Sequence, residues 1–559
     1  MKHANASGSD AEMTGDTVAR VLADAGVKVV FGVISIHNMP ILDAIYRQGR
    51  ITFTPARGEA GAMNMADAYA RVSHSLGVVI TSTGTAAGNA AGSQAEALTA
   101  GSPVLHITSQ LDTIFMDRDR AAIHDVPRQP DMLKAVSKAY FRMWDANSAA
   151  GVLHAAMSAA LSAPSGPVSL EIPIDVQRMR APLQPAAGAP VIALARPDAG
   201  RLDQLAALVG KAKRPMLYLG GGARRASPEA LALVERGFCA VTSTNGRAIV
   251  PEGHIRNLGA YNMTPQAQAL FERCDLMIVV GSRLRGNETR NNALRLGSPL
   301  AQVDVDASQC GRNYPIDLFV HGDAREALQG LLERLPEKLD TDPLFATELL
   351  TARQASEAAL ARSLGPYLGL ADVLSRRVHS GAHVFARDVT IANSMFGNRY
   401  VRLAAPHLGV HALGGGIGQG VAMAIGASFA MPNKKTIALL GDGGAMVNLG
   451  EFATAVENKC DIVFVLMNDR AYGVISNIQD AQYEGRRAHC RLHTPDFALF
   501  ARSMELPHDC VADIRDFEAT FDRAMARPGP TLIEIDMLAI GPYAEAFGGP
   551  PAGAAGGSK

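Results

Sequence analysis

The sequence predicts an α/β protein of three doubly wound domains with mostly parallel sheets. Short, continuous apolar runs alternate with segments of helical periodicity along the chain, the pattern of strands covered on both faces by crossover helices. Most of these runs stop at Gly, Ser or Asp, where loops at the carboxyl ends of parallel strands begin. A length of 559 residues, 48% hydrophobic and 19% charged, exceeds one ordinary domain and supplies several cores, which excludes general disorder.

In chain order, TVARVLADAG at 17–26 places apolar residues at helical spacing and closes on Gly26 before VKVVFGV, a helix leading into a buried strand. The alternation continues through MADAYARV, GVVITST, AAGNAAGSQAEALTAG and SPVLHITS to GPVSLEIPIDV at 166–176, followed by a Pro/Ala-rich connector near 181–191. A second series runs from RPMLYLGGGARR through FCAVTSTNGR, CDLMIVVGSRLR and PLAQVDVDASQ to a strand before His321. There LPEKLDTDP interrupts the periodic text and sets a boundary between Leu335 and Ala355. A third series holds GAHVFARDV, KKTIALLGDGG, DIVFVLMND and PTLIEIDM. Its GPTLIEID echoes GPVSLEIPID of the first series and suggests two related units flanking a different middle one. The expected domains are 12–180, 190–340 and 355–540, with the Gly/Ala-rich 541–559 as a flexible tail.

Composition narrows the functional classes. The 53 basic and 54 acidic side chains nearly cancel, and no long basic run supplies the footprint of a nucleic-acid binder. The six cysteines form no C-x-x-C pair, so neither a disulfide scaffold nor a structural zinc site is expected. No apolar leader or membrane span is evident, and a soluble cytoplasmic protein is the expectation.

The strongest local signal is GDGGAMVNLGEFATAVENKCDIVFVLMNDRAYG at 441–473. Gly441, Asp442, Gly443 and Gly444 follow the apolar run TIALL as a Gly-rich turn, and MVNLGEFATAVE reads as one helix. Turn and helix start can together hold phosphate oxygens. The run DIVFVLM then delivers Asn468 and Asp469 to the same sheet edge. Asp442 and Asp469 are hard oxygen ligands suited to Mg²⁺, with a backbone carbonyl near Ala471 as a third. Read locally, the two carboxylates serve equally as a turn residue and a helix cap.

This constellation resembles the thiamin-diphosphate-binding motif of the acetolactate synthase and 2-oxo-acid decarboxylase superfamily. GDG is Gly441 to Gly443, and MND is Met467 to Asp469, with Asp469 where family members usually have a second Asn. The resemblance extends through PARGEAGAMNMADAYAR in the first domain, TSTNGRAIVPEGHIRNLG and CDLMIVVGSRL in the middle one, and LGGGIGQGVAMAIGA before GDGG. It implies pyrimidine-binding, central and diphosphate-binding domains in that order.

The resemblance implies thiamin diphosphate and Mg²⁺ as cofactors. Glu59 then hydrogen-bonds the pyrimidine N1′ and promotes the tautomer that acts as internal base. Ile417 supports the bent cofactor, and the Gly415 carbonyl accepts from the pyrimidine amino group. Standing alone, Glu59 would be a surface residue opening a helix and GGGIGQG a flexible loop. The implied active sites lie at a two-fold interface between identical subunits, in a dimer or tetramer.

The resemblance implies decarboxylation of a small-molecule 2-oxo acid, with transfer of the acyl-anion equivalent to a carbonyl acceptor. Release of an aldehyde and a noncatalytic cofactor-binding homologue are the alternatives. Substrate-facing positions depart from the known branches. Ile34, Ser35 and Ile36 replace the usual PG turn and its acidic or Ser neighbour, and Ser82 stands where benzoylformate decarboxylases use His. Ile123, His124 and Asp125 replace the FQE of acetolactate synthases, and Ile478 replaces a Trp. His37 and His124 remain as candidate groups for proton transfer or carboxylate recognition. Gly221, Gly222 and Arg283 look similar to flavin-contact regions in some relatives. FAD is therefore a possible additional ligand, although non-flavin relatives keep much of the same scaffold.

Overall fold

The computed structural model describes residues 11–185 and 188–549; residues 186–187 of the connector and 550–559 of the expected tail lie outside that range. Three parallel sheets organise the chain. The first orders its strands Thr52–Pro55, Val29–Gly32, Gly77–Thr81, Val104–Gln110, Val168–Pro173 and Ala139–Arg142. The third orders Gly409–His411, Val384–Arg387, Thr436–Gly441, Ile462–Asn468, Thr531–Asp536 and His508–Val511. Counted within each domain, both sheets read 2-1-3-4-6-5. The echoing segments GPVSLEIPID and GPTLIEID contain the sixth strand of each. The middle sheet, Cys239–Thr242, Pro215–Leu219, Leu276–Val280, Leu300–Asp304 and Leu318–His321, reads 2-1-3-4-5.

In all three sheets the first and third strands are neighbours, and the crossovers leave them in opposite directions. The carboxyl ends of that pair form the crevice where open α/β sheets hold ligands. The strands are apolar throughout because helices cover both faces: Val463, Phe464, Val465 and Leu466 are all buried, on alternating sides.

The first and third domains share a core. Helix Glu59–Ser73 lies on helix Gly420–Ala430, and Ala62, Met65, Ala66, Val421, Ala424 and Ile425 are buried between them. A Cβ on Gly426 would stand 2.1 Å from the Met65 carbonyl oxygen, so the helices meet backbone to backbone. Arg71 seals the end of this contact, 3.1 Å from Asp67 and donating to the His411 carbonyl at 2.8 Å.

Three expectations need correction. MVNLGEFATAVE is two helices, Asp442–Val447 and Glu451–Glu457, parted at Asn448–Gly450, and Asp442 opens the first of them. The boundary expected between Leu335 and Ala355 is not a break in the structure: Leu335 and Leu339 pack in the middle-domain core, and helix Pro343–Leu364 runs from that domain into the third. Residues 541–549 pack on the third domain. Tyr543 is buried with its ring 4.4 Å from that of Tyr367, whose hydroxyl donates to the Gly541 carbonyl. One aromatic anchor outweighs a Gly-rich composition there.

Gly426→Ala should lower stability by about 1–3 kcal/mol, because neither backbone can yield to the new methyl. A lower urea midpoint for unfolding of the paired domains is expected; an unchanged midpoint would contradict this packing.

Candidate functional site

Strands Thr436–Gly441 and Ile462–Asn468 run parallel with Gly441 opposite Met467, so the residues just beyond them emerge side by side. Asp442 is 1% exposed, and its Oδ2 has no hydrogen-bond partner among the described residues. It faces Asp469 at hydrogen-bonding range. Burial, with the neighbouring carboxyl adding to it, pushes Asp442 up to about 7, and burial raises Asp469 as well. Asp469 Oδ1 accepts from the Ala471 amide at 3.1 Å, which folds the loop back on itself. Asn468 turns away: its amide donates to Glu534 at 2.7 Å and its oxygen accepts from the Arg470 amide. It thus orients the loop, while the two aspartates remain to bind.

Two facing carboxyls, one with an orphaned oxygen, are a donor set suited to a hard divalent cation. Among the described residues no group of three or more His, Cys, Asp or Glu side chains could hold a metal. Further ligands here would come from backbone, water and an anionic partner. Gly444 packs closely on its other side, where a Cβ would stand 2.5 Å from Asp388 Oδ2.

Asp388, unnoticed in the sequence, follows strand Val384–Arg387 and stands across the third domain's crevice from Asp442. It is fully buried, accepts from the Gly418 amide at 3.0 Å, and is raised to about 6 by burial. Its contact holds one end of the loop carrying Gly415 and Ile417. Gly415 has φ +84°, a conformation glycine adopts without strain, and Ile417 is 40% exposed at the tip. The other end is held from the first domain by Glu96, which accepts from the Leu413 and Gly414 amides at 2.5 and 2.7 Å.

Glu59 opens helix Glu59–Ser73, half-buried, and accepts from Asn89 Nδ2 at 3.1 Å. No hydrogen bond or ion pair among the described residues joins Glu59 to the Asp442–Asp469 edge of its own chain.

The first domain's crevice lies between strands Val29–Gly32 and Gly77–Thr81. From the loops around it come Ile34, Ile36, His37 and Ser82. His37 and His124, 87 residues apart, meet edge to face with ring centroids 5.1 Å apart. His37 is buried with Nδ1 unpartnered among the described residues, and burial followed by the nearness of His124 lowers its pKa. The two rings meet because Gly84, at φ +64°, lets the His124 carbonyl pass where a Cβ would stand 2.4 Å away. Ser82 Oγ is likewise buried without a partner among the described residues, whereas Ile34 and Ile36 are exposed. Ile478 is half-buried beneath Gly549.

The middle domain's crevice opens into a cavity of about 490 Å³ lined by Gly221, Gly222, Ser243, Gly281, Arg283 and Asp304 among others. Among the described residues no helix is long and apolar enough to cross a membrane.

Comparison with known proteins matches all three domains. Residues 13–132 match the family described as thiamine pyrophosphate enzyme, N-terminal TPP binding domain; 202–331 match its central domain and 392–535 its C-terminal TPP binding domain. The chain is 28% identical to the probable 2-ketoarginine decarboxylase AruI of Pseudomonas aeruginosa over 537 residues, 93% of each chain. It is 27% identical to the acetolactate synthase large subunit of Corynebacterium glutamicum, over 90% of this chain and 83% of that one. It is 28% identical to the acetolactate synthase isozyme 3 large subunit of Escherichia coli, over 89% and 88%.

Asp442→Ala should abolish most Mg²⁺-dependent binding of thiamin diphosphate in isothermal titration, whereas Asp469→Asn, which keeps an oxygen ligand, should retain it. In the unsubstituted protein a proton competes with the cation at Asp442, so Mg²⁺ affinity should fall as pH drops through about 7. In Asp469→Asn the neighbouring charge is gone and that fall should move to lower pH. A pH-independent affinity would contradict the pairing.

Proposed function

Because this chain belongs to the thiamin-diphosphate-dependent acetolactate synthase and 2-oxo-acid decarboxylase superfamily, we propose that it decarboxylates a 2-oxo acid and transfers the acyl-anion equivalent to a carbonyl acceptor. The observation that carries this reading is the facing Asp442 and Asp469 pair, one oxygen orphaned, at the crevice edge beside the Gly415–Ile417 loop. Asp442, Asp469 and the Ala471 carbonyl would hold Mg²⁺, with Gly441, Gly443, Gly444 and Asn468 shaping the pocket for the diphosphate. Gly415 and Ile417 support the thiamin portion. Bound thiamin diphosphate supplies an electron sink for the charge left when CO₂ departs.

This chain's residues then hold and move protons. Glu59 shares a proton with the aminopyrimidine N1′ and sets its tautomer. The His37–His124 pair, at the mouth of the first domain's crevice, receives the substrate carboxylate or returns a proton to the product carbon. Exposed Ile34 and Ile36 beside it favour an apolar substituent.

The same histidine pair favours a second reading, simple decarboxylation with release of an aldehyde, since a proton donor at that point competes with an acceptor carbonyl. Both outcomes are redox-neutral, so FAD in the middle-domain cavity would serve the fold and not the reaction. The proposed roles are pyrimidine binding for 12–180, a central domain at 190–340 and diphosphate and metal binding for 355–540, with helix Pro343–Leu364 bridging the last two and Tyr543 extending the third.

A complete site needs two chains, Glu59 from one and the Asp442 edge from its partner. Exposed Ile34, Ile36, Met39 and Ile114 on the first domain and Ile417, Met446, Val447 and Ile475 on the third support such an interface, in a dimer or tetramer. The assembly is proposed as cytoplasmic.

A panel of 2-oxo acids, with and without aldehyde or 2-oxo-acid acceptors, tests the function. CO₂ release dependent on thiamin diphosphate is expected, with a coupled hydroxy-ketone product when an acceptor is present. Cofactor binding without CO₂ from any panel member would overturn the catalytic reading. Glu59→Gln should keep cofactor affinity within about threefold while slowing C2 proton exchange about 10²–10⁴-fold. Exchange at the unsubstituted rate would contradict its role.

A further inference from the structure

Two buried carboxylates cross the junction between the first and third domains in opposite directions. Glu96, on helix Thr85–Ala100 of the first domain, accepts from the amides of Leu413 and Gly414 in the third. Glu451, on helix Glu451–Glu457 of the third domain, accepts from the amides of Arg57 and Gly58 in the first at 3.1 Å each. They are 4% and 2% exposed.

The contacts occupy equivalent places in the two related folds. Each glutamate lies in the helical segment after its domain's third strand. Each pair of amides follows the second strand of the opposite domain, before the helix at the shared core. Each carboxylate also lies against a glycine: a Cβ on Gly414 would stand 2.7 Å from Glu96 Oε2, and one on Gly61 2.1 Å from Glu451 Oε1. Thr454 donates to Glu451 Oε2 at 2.7 Å and fixes its rotamer. Carboxylates buried at this cost are retained in one geometry by charge-assisted amide bonds.

We propose that Glu96 and Glu451 are reciprocal positioning residues, through which each domain sets the other's contribution to the cofactor site. Glu451 fixes the turn from which helix Glu59–Ser73 departs, and with it the direction of Glu59. Glu96 fixes the start of the loop presenting Gly415 and Ile417. Neither glutamate touches the cofactor. Because Glu59 and the Gly415 loop of one chain serve different sites in the proposed dimer, each clamp joins one site's activating group to the other site's framework. This inference rests on the assignment of Glu59, Gly415 and Ile417 as cofactor contacts.

The test uses the full-length protein with Glu451→Gln, Glu96→Gln, Glu59→Gln and, as a control, Leu328→Ala, which destabilises the middle-domain core without touching either clamp. Glu451→Gln should slow C2 proton exchange of bound thiamin diphosphate by about 10- to 100-fold, with cofactor affinity within about threefold. Glu96→Gln should weaken thiamin diphosphate at least about tenfold while leaving Mg²⁺-dependent binding of inorganic diphosphate, which meets only the Asp442 edge, unchanged. Leu328→Ala should lower the melting temperature and move neither readout.

If Glu59→Gln slows exchange and Glu451→Gln does not, the Glu451 clamp is overturned and the cofactor reading stands. If Glu59→Gln exchanges at the unsubstituted rate, that reading falls and takes the clamp with it. Equal losses of thiamin diphosphate and inorganic diphosphate in Glu96→Gln overturn its positioning role. Should either Gln variant not fold, the Asp variant keeps the charge, shortens the reach by one methylene and carries the same expectation at smaller size.

Discussion

The backbone contact between helices Glu59–Ser73 and Gly420–Ala430 is the constraint on which the rest depends. Gly426 over the Met65 carbonyl brings two domains of the same strand order face to face through equivalent helices. Once they meet, the segment leading into each helix is held by the opposite domain: Glu451 receives the amides before Glu59, and Glu96 those before Gly415. The groups proposed to meet the cofactor are thereby placed on rigid elements.

Chemistry concentrates at the three strand-order reversals. In the third domain Asp388 and Asp442 flank the crevice, the first anchoring the Gly418 amide and the second held against Asp469. The first domain's crevice brings His37 to His124, and the middle one opens the cavity beside Gly221 and Arg283. One topological rule thus locates features of different chemistry, and side chains decide what each can do. The middle sheet lacks a sixth strand and contributes no helix to the shared Met65–Gly426 core.

Much of this was legible in the sequence because it is contiguous. Apolar runs ending at Gly, Ser or Asp located the strands, and GDG with MND located the carboxylates, since parallel neighbours bring such termini together whatever lies between. Glu96, Asp388 and Glu451 were not legible. Each is a single acidic residue whose role exists only through amides 30 to 394 positions away. Asp388 alone left a usable trace, an acid directly after the run HVFAR at a strand end. His37 and His124 were found separately, but their meeting depends on Gly84 and its φ of +64°, which no periodicity records. Composition misread residues 541–549, where Tyr543 seats a glycine-rich segment.

The central claim is that two chains build each site, Glu59 from one and the Asp442–Asp469 edge from the other. Mixing Glu59→Gln subunits with Asp442→Ala subunits, each inactive alone, tests it directly. Each mixed dimer would contain one site with both groups intact and one with neither. After subunit exchange at equal concentration, about half of the dimers are mixed, so CO₂ release should recover to about a quarter of the unsubstituted rate. No recovery, with mixed dimers demonstrated by differential tagging, would contradict the shared site.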